Sequence, residues 1–158
     1  MRTHVWLALM ATVLMCVGCA KESAETPGPT PTTAAAPTAD DDHAAAKAEA
    51  VEAAEAWLAL IDDDEIDESW DQAAEAVQQA VTKDAWAQQM KAVRGQVGAL
   101  KERKVRTTQY AVDIPGAPEG EYVVILFDAS YENGDVVETV TPMKTSDGTW
   151  LVSGYFMK

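Results

Sequence analysis

The chain has 158 residues, 47% of them hydrophobic, and a formal net charge of −14 from 26 acids against 12 bases. That length provides one core of ordinary domain size and not comfortably two, and the negative balance repels nucleic acid and anionic headgroups, so no nucleic-acid partner is expected. Both cysteines, Cys16 and Cys19, lie near the N-terminus, which leaves the remainder without a disulfide, a thiol nucleophile or a thiolate metal site.

The chain opens with Met1-Arg2 and an apolar run from Val5 to Val17, too short for a stable bilayer anchor and shaped like a secretory signal. Gly18-Cys19 closes that run and resembles the bacterial lipoprotein signal, although the position three before the cysteine, usually Leu, is Cys16. The resemblance implies a signal peptide over residues 1–18 and lipidation of Cys19, which would hold the protein to a membrane through its acyl chains. Because Asp does not follow Cys19, it also implies an address in the cell envelope: the outer membrane facing the periplasm, if the source is Gram-negative. An ordinary signal cut beyond Ala20 and a retained hydrophobic helix are the alternatives. Residues 19–43 hold four of the seven prolines and an Asp40-Asp41-Asp42 run, a composition that buries too little apolar area to order itself and predicts a flexible tether.

A single α+β domain is expected over residues 44–158. Ala44 to Ile61 is rich in the good helix formers Ala and Glu, with Val51, Ala54, Leu58 and Ile61 on one stripe. A second helix is predicted from about Glu68 to Val81, and a third after a Thr82 cap, using Trp86, Met90 and Val93 until Gly95 breaks it. Arg103 to Val112 reads as an edge strand, followed by a Pro115-to-Gly120 connector. Tyr122 to Tyr131, Val136 to Met143 and Thr149 to Met157 then read as a three-stranded antiparallel meander, turned at Asn133-Gly134 and Asp147-Gly148. Pro142 is expected to end its ladder or sit at its edge. Gly154 predicts a bulge, a bend or a close neighbour. Apolar residues on both faces of the meander predict a curved sheet holding the helices and a pocket in its concavity.

In combination, Trp57-Leu58 with Ile61-Asp62, Ser69-Trp70, Trp86, Arg94, Gly98, Arg103, the run Pro115 to Tyr122, Glu138-Thr139-Val140-Thr141 and Asp147-Gly148-Thr149-Trp150 resemble a family of exported bacterial proteins known as domain of unknown function 4019. The resemblance covers about residues 48–158. It implies three N-terminal helices on a curved antiparallel sheet of about four strands, a cone of nuclear-transport-factor or cystatin type. It implies no catalytic residues.

Charge is unevenly spread. Asp40 to Asp84 holds fifteen acids and two lysines, while Lys91 to Arg106 holds six bases and one acid, so the basic segment is where an anion could bind. Glu138 lies between Val136 and Val140 on one strand face, where it is drawn inside and needs a partner. Arg94, Arg103, Glu138, Tyr155 and Trp70 are the ligand-binding candidates, with Arg103 offering a fork of donors to an anionic group. The competing reading is an Arg–Glu pair that fixes helices to sheet, with the tryptophans as core. The acid pairs Asp62 with Asp63 and Asp67 with Asp71 lack an apolar pocket to separate their titrations and read as a solvated face. His4 falls in the signal and His43 in the tether, so no histidine chemistry, metal site or cofactor is expected in the domain. The leading expectation is a noncatalytic envelope lipoprotein domain that binds a small ligand or a protein partner. The alternative is a small enzyme using Glu138 or an Asp with an Arg.

Overall fold

The computed structural model describes residues 43–158. The expected signal peptide, Cys19 and all but the last residue of the expected tether lie outside the described residues. Four helices precede four strands: α1 (Ala44–Asp62), α2 (Ile66–Asp71), α3 (Glu75–Ala80), α4 (Lys83–Val97), β1 (Leu100–Val112), β2 (Glu121–Tyr131), β3 (Gly134–Lys144) and β4 (Trp150–Met157). The strands form one open antiparallel sheet in chain order, with β1 and β4 at its edges, so the protein is α+β with its helices on one face of the sheet.

α1 buries Ala50, Ala54, Trp57, Leu58 and Ile61, the stripe that three- and four-residue spacing places on one side of a helix. It lies against all four strands, and its side chains join Trp86 and Met90 of α4 with Val123, Ile125, Phe127, Val140, Trp150 and Val152 of the sheet in one core.

The expected second helix is two. Between α2 and α3 the Ala74 N–H donates to the Val152 carbonyl on β4 (2.8 Å), and the Gln78 amide donates to the carbonyls of Trp70, Asp71 and Ala73. Carbonyls left over where α2 stops are therefore satisfied by a side chain from the next helix, and the break is fixed by a strand distant in sequence.

Thr82 caps α4 through the Ala85 N–H (3.3 Å). Gly95, expected to break that helix, sits inside it, and Gly98 ends it at φ 78°, ψ −159°, a region open essentially to Gly alone. A Cβ at Gly98 would also meet the Glu132 Cβ at 2.9 Å. The close approach arises because the β2–β3 hairpin tip caps the helix: Glu132 and Asn133 donate their N–H groups to the Ala99 and Val97 carbonyls, and the Asn133 amide donates to the Gln96 carbonyl.

Of the three register shifts in the sheet, those at Val105/Thr107 and Thr141/Pro142 reset which side chains face the helices near the site. In β1, Val105 pairs with Phe127 and Thr107 with Leu126, so Arg106 is extra, Thr107 turns outward and the strand's alternation is reset there. In β4, Ser153 is extra, since Thr141 pairs with Gly154 and Pro142 with Val152. Pro142 therefore neither ends its ladder nor lies on an edge strand. It occupies an interior strand at a bulge, where its missing N–H is tolerated.

The helix-free face carries the row Thr107, Leu126, Thr139 and Phe156 across all four strands, and beside it Gln109 and Val124 on β1 and β2 and Thr141 and Gly154 on β3 and β4. None of these side chains is charged. His43 is not loose in the tether as expected: it precedes α1 and stacks on Tyr110 at 3.7 Å.

Candidate functional site

Arg94, Arg103, Glu138 and Tyr155 meet in one place, on the helix-covered side of the sheet. Glu138 is 0% exposed, because it pairs with Phe127 in register and faces the core between Val136 and Val140. Its Oε2 accepts from Arg103 Nε at 2.5 Å, and its Oε1 accepts from Arg103 Nη2 (3.2 Å), the Tyr131 hydroxyl (2.9 Å) and the Tyr155 hydroxyl (2.6 Å). The rest of the Arg103 fork reaches Asp62 on α1, Nη1 to Oδ2 at 2.5 Å and Nη2 to Oδ1 at 3.2 Å. Arg94, in the last turn of α4, lies 3.1 Å from Asp62 Oδ1, donates to the Tyr131 hydroxyl at 2.9 Å and stacks over its ring.

Two guanidinium groups thus face two carboxylates, with both tyrosine hydroxyls donating to Glu138. Buried charge is tolerated when it is paired and hydrogen-bonded as fully as this. Burial alone would lower the Arg103 pKa, but its bonds to Asp62 and Glu138 outweigh that and raise it. Burial, reinforced by the Glu138 charge, lifts the Tyr131 hydroxyl to about 12 and Tyr155 higher still. Among the described residues no buried side-chain nitrogen or oxygen lacks a partner.

Asp62 and Tyr131 complete this network, and neither is among the ligand-binding candidates that the sequence offers. Their positions carried a signal. Asp62 is four residues past Leu58 on the buried stripe of α1, and Tyr131 is two past Ala129 on the buried face of β2. From sequence alone Asp62 pairs with Asp63 and reads as part of a solvated acidic face. Trp70 stands apart: its indole N–H donates to the Val81 carbonyl (2.9 Å), and Lys83 lies over its ring. The Trp57 and Trp86 indoles converge on Ser69, at its carbonyl (2.7 Å) and its hydroxyl (3.0 Å).

Five depressions among the described residues have volumes of about 380 to 560 Å³, and none of the five has Glu138, Arg103, Arg94, Asp62, Tyr131 or Tyr155 on its wall. Where a pocket is expected, between helices and sheet, the buried Trp57, Trp86 and Trp150 belong to the core and Glu138 is 0% exposed. The basic segment is also largely committed: beyond Arg94 and Arg103, Lys104 pairs with Glu102 and Arg106 with Asp128. No group of three or more His, Cys, Asp or Glu among the described residues is arranged to hold a metal ion. No described helix is long and apolar enough to cross a membrane.

A family model described as "Protein of unknown function (DUF4019)" matches residues 53–155. No curated protein matches the chain. A solved structure of a protein from Catenulispora acidiphila is similar at 12% identity and a TM-score of 0.45, over 74% of this chain and 93% of that one. A likeness that distant carries no argument about fold or function.

Proposed function

The chain belongs to the DUF4019 family of proteins of unknown function, and from that premise we propose that its domain is the noncatalytic, surface-binding part of a cell-envelope lipoprotein. One observation carries this reading. Glu138, the acid best placed for chemistry, is 0% exposed, spends both oxygens on Arg103 and two tyrosines, and lines none of the five depressions described above. A general acid or base must reach its substrate's proton, so the alternative of a small enzyme built on Glu138 and an Arg is disfavoured. Binding then belongs to the exterior, and a protein partner suits open surfaces better than a small ligand does, since small-ligand sites are concave and mostly enclosed. The finer likeness to a nuclear-transport-factor or cystatin cone belongs to the same proposal, supported by helices preceding a four-stranded sheet and covering one face of it.

The envelope address rests on the apolar run Val5 to Val17 ending in Gly18-Cys19. Mass spectrometry of the membrane-associated protein should find a mature N-terminus at diacylglyceryl-modified Cys19. Any other first residue overturns the lipid anchor. For the domain, thermal unfolding in the presence of phosphate, sulfate and small carboxylates should show no stabilisation that depends on Arg103. Stabilisation that disappears in Arg103→Lys, with the variant still folded, would make the network a ligand site and overturn the surface reading.

A further inference from the structure

Asn133 is the sole asparagine of the chain, and the residue after it is glycine. Both are exposed at the tip of the β2–β3 hairpin, where Tyr131 pairs with Gly134. This dipeptide is labile in water, because the next backbone nitrogen can attack the side-chain amide and glycine gives that nitrogen no steric shield. The space beside Gly134 is open: a Cβ there would meet nothing within 4 Å. What holds the amide back is α4. Asn133 Nδ2 donates to the Gln96 carbonyl at 2.9 Å and the Asn133 N–H to the Val97 carbonyl at 3.0 Å, while Glu132 Oε2 accepts from the Ala99 N–H at 3.1 Å. Cyclisation has to break the first of these bonds, so the reaction waits on the hairpin tip lifting from the helix end.

We propose that Asn133 is a site of spontaneous deamidation, and that the reaction uncaps α4. The Gly134 nitrogen bonds to Asn133 Cγ and gives up its proton, the Cγ–Nδ2 bond breaks, and ammonia leaves to form a cyclic succinimide. Water then adds to either succinimide carbonyl and breaks that carbonyl's bond to nitrogen, leaving aspartate or isoaspartate at position 133. Both products carry a carboxylate where a donor stood. It faces the Gln96 carbonyl at the negative pole of α4 with the Glu132 carboxylate already beside it, so dipole and neighbour both repel it. Isoaspartate also adds a methylene to the backbone and spoils the two-residue turn between Tyr131 and Gly134. The cap adjoins the buried network: Tyr131 immediately precedes Glu132, and Arg94, which donates to the Tyr131 hydroxyl, lies in the last turn of α4. Reaction at an exposed amide thereby loosens the junction of helix and sheet, and the departure of ammonia makes the change one-way.

The test follows the Asn133 peptide by mass spectrometry while the full chain stands in mildly alkaline buffer, folded or unfolded in urea. Exchange of the amide NH₂ for OH adds mass, which separates the reaction from isomerisation at Asp147-Gly148, where mass is unchanged. The folded chain should gain mass roughly ten- to a hundredfold more slowly than the unfolded one, and Gly98→Ala and Glu132→Ala, which each loosen the cap, should each speed it at least about threefold. Should Gly98→Ala fail to fold, Glu132→Ala, changed only at an exposed side chain, carries the comparison. Asn133→Ala loses the donor and Asn133→Asp also gains the charge, so the thermal midpoint should fall in the first and further in the second. The proposal is overturned by a folded chain that reacts as fast as the unfolded one, or gains no mass over many times the interval in which the unfolded one converts. It is equally overturned by a rate indifferent to both cap variants, or by Asn133→Asp melting with the wild type. None of these results bears on whether Arg103 binds anions.

Discussion

Arg103 and Arg106 are three residues apart on one strand and live in different worlds. Arg103 points to the helices, 11% exposed in its side chain, and joins Glu138 and Asp62; Arg106 points to water, 48% exposed, and meets Asp128. Strand alternation alone puts Arg103 and Arg106 on opposite faces, and the bulge between Val105 and Thr107 leaves Thr107 turned outward beside Arg106. Identical chemistry therefore carries different energetic weight according to the face it falls on. Outside, water screens the pair and neither partner depends on the other. Inside, each charge is tolerable only because the other is there.

The sharpest way to break this contrast is to remove one partner on each side. Arg103→Met leaves Glu138 buried without its cation and should cost about 3–5 kcal/mol, read as a fall in the urea midpoint. Gly98→Ala tests the hairpin cap that brings Tyr131 toward Arg94. The Ala side chain would meet Glu132 and adopt a backbone region reserved for Gly, with an expected loss of about 1–3 kcal/mol.

Alkali probes the inner face alone. The folded state retains the Tyr131 and Tyr155 protons after the unfolded chain has begun to release its own near pH 10, so their contribution is fully present below that pH. It is lost as pH rises toward about 12, the folded pKa of Tyr131. Each tyrosine should tilt stability by about −1.4 kcal/mol per pH unit in that window, and Tyr155→Phe should remove one such share. An unchanged slope in the phenylalanine variant would place Tyr155 outside the network. The smallest effect belongs to the outer face: Lys104→Ala, which frees the exposed Glu102, should leave the urea midpoint where the wild type has it.

Much of this was legible in the residues. Alternation gave the three strands of the meander, Thr82 marked a helix start, and the placement of Glu138 between two valines pointed it inward with Arg103 as a natural partner. What was illegible depended on neighbours far along the chain. The break before α3 is made by Val152, and the choice of Gly98 over Gly95 as the end of α4 is made by Glu132 and Asn133. Local pattern cannot see either. Asp62 was hidden for a different reason: it is the first of three aspartates, and only its helical distance from Leu58 separates it from its solvated neighbours.

The central claim is that Arg103 and Glu138 are a structural pair rather than a binding site, and a double-mutant cycle tests it most directly. Urea denaturation of Arg103→Met, Glu138→Leu and the double variant should give a coupling of at least about 2 kcal/mol, with the double variant more stable than the sum of single losses allows. Additive losses, with each single variant nearly as stable as the wild type, would contradict it and return these residues to the list of candidate ligand contacts.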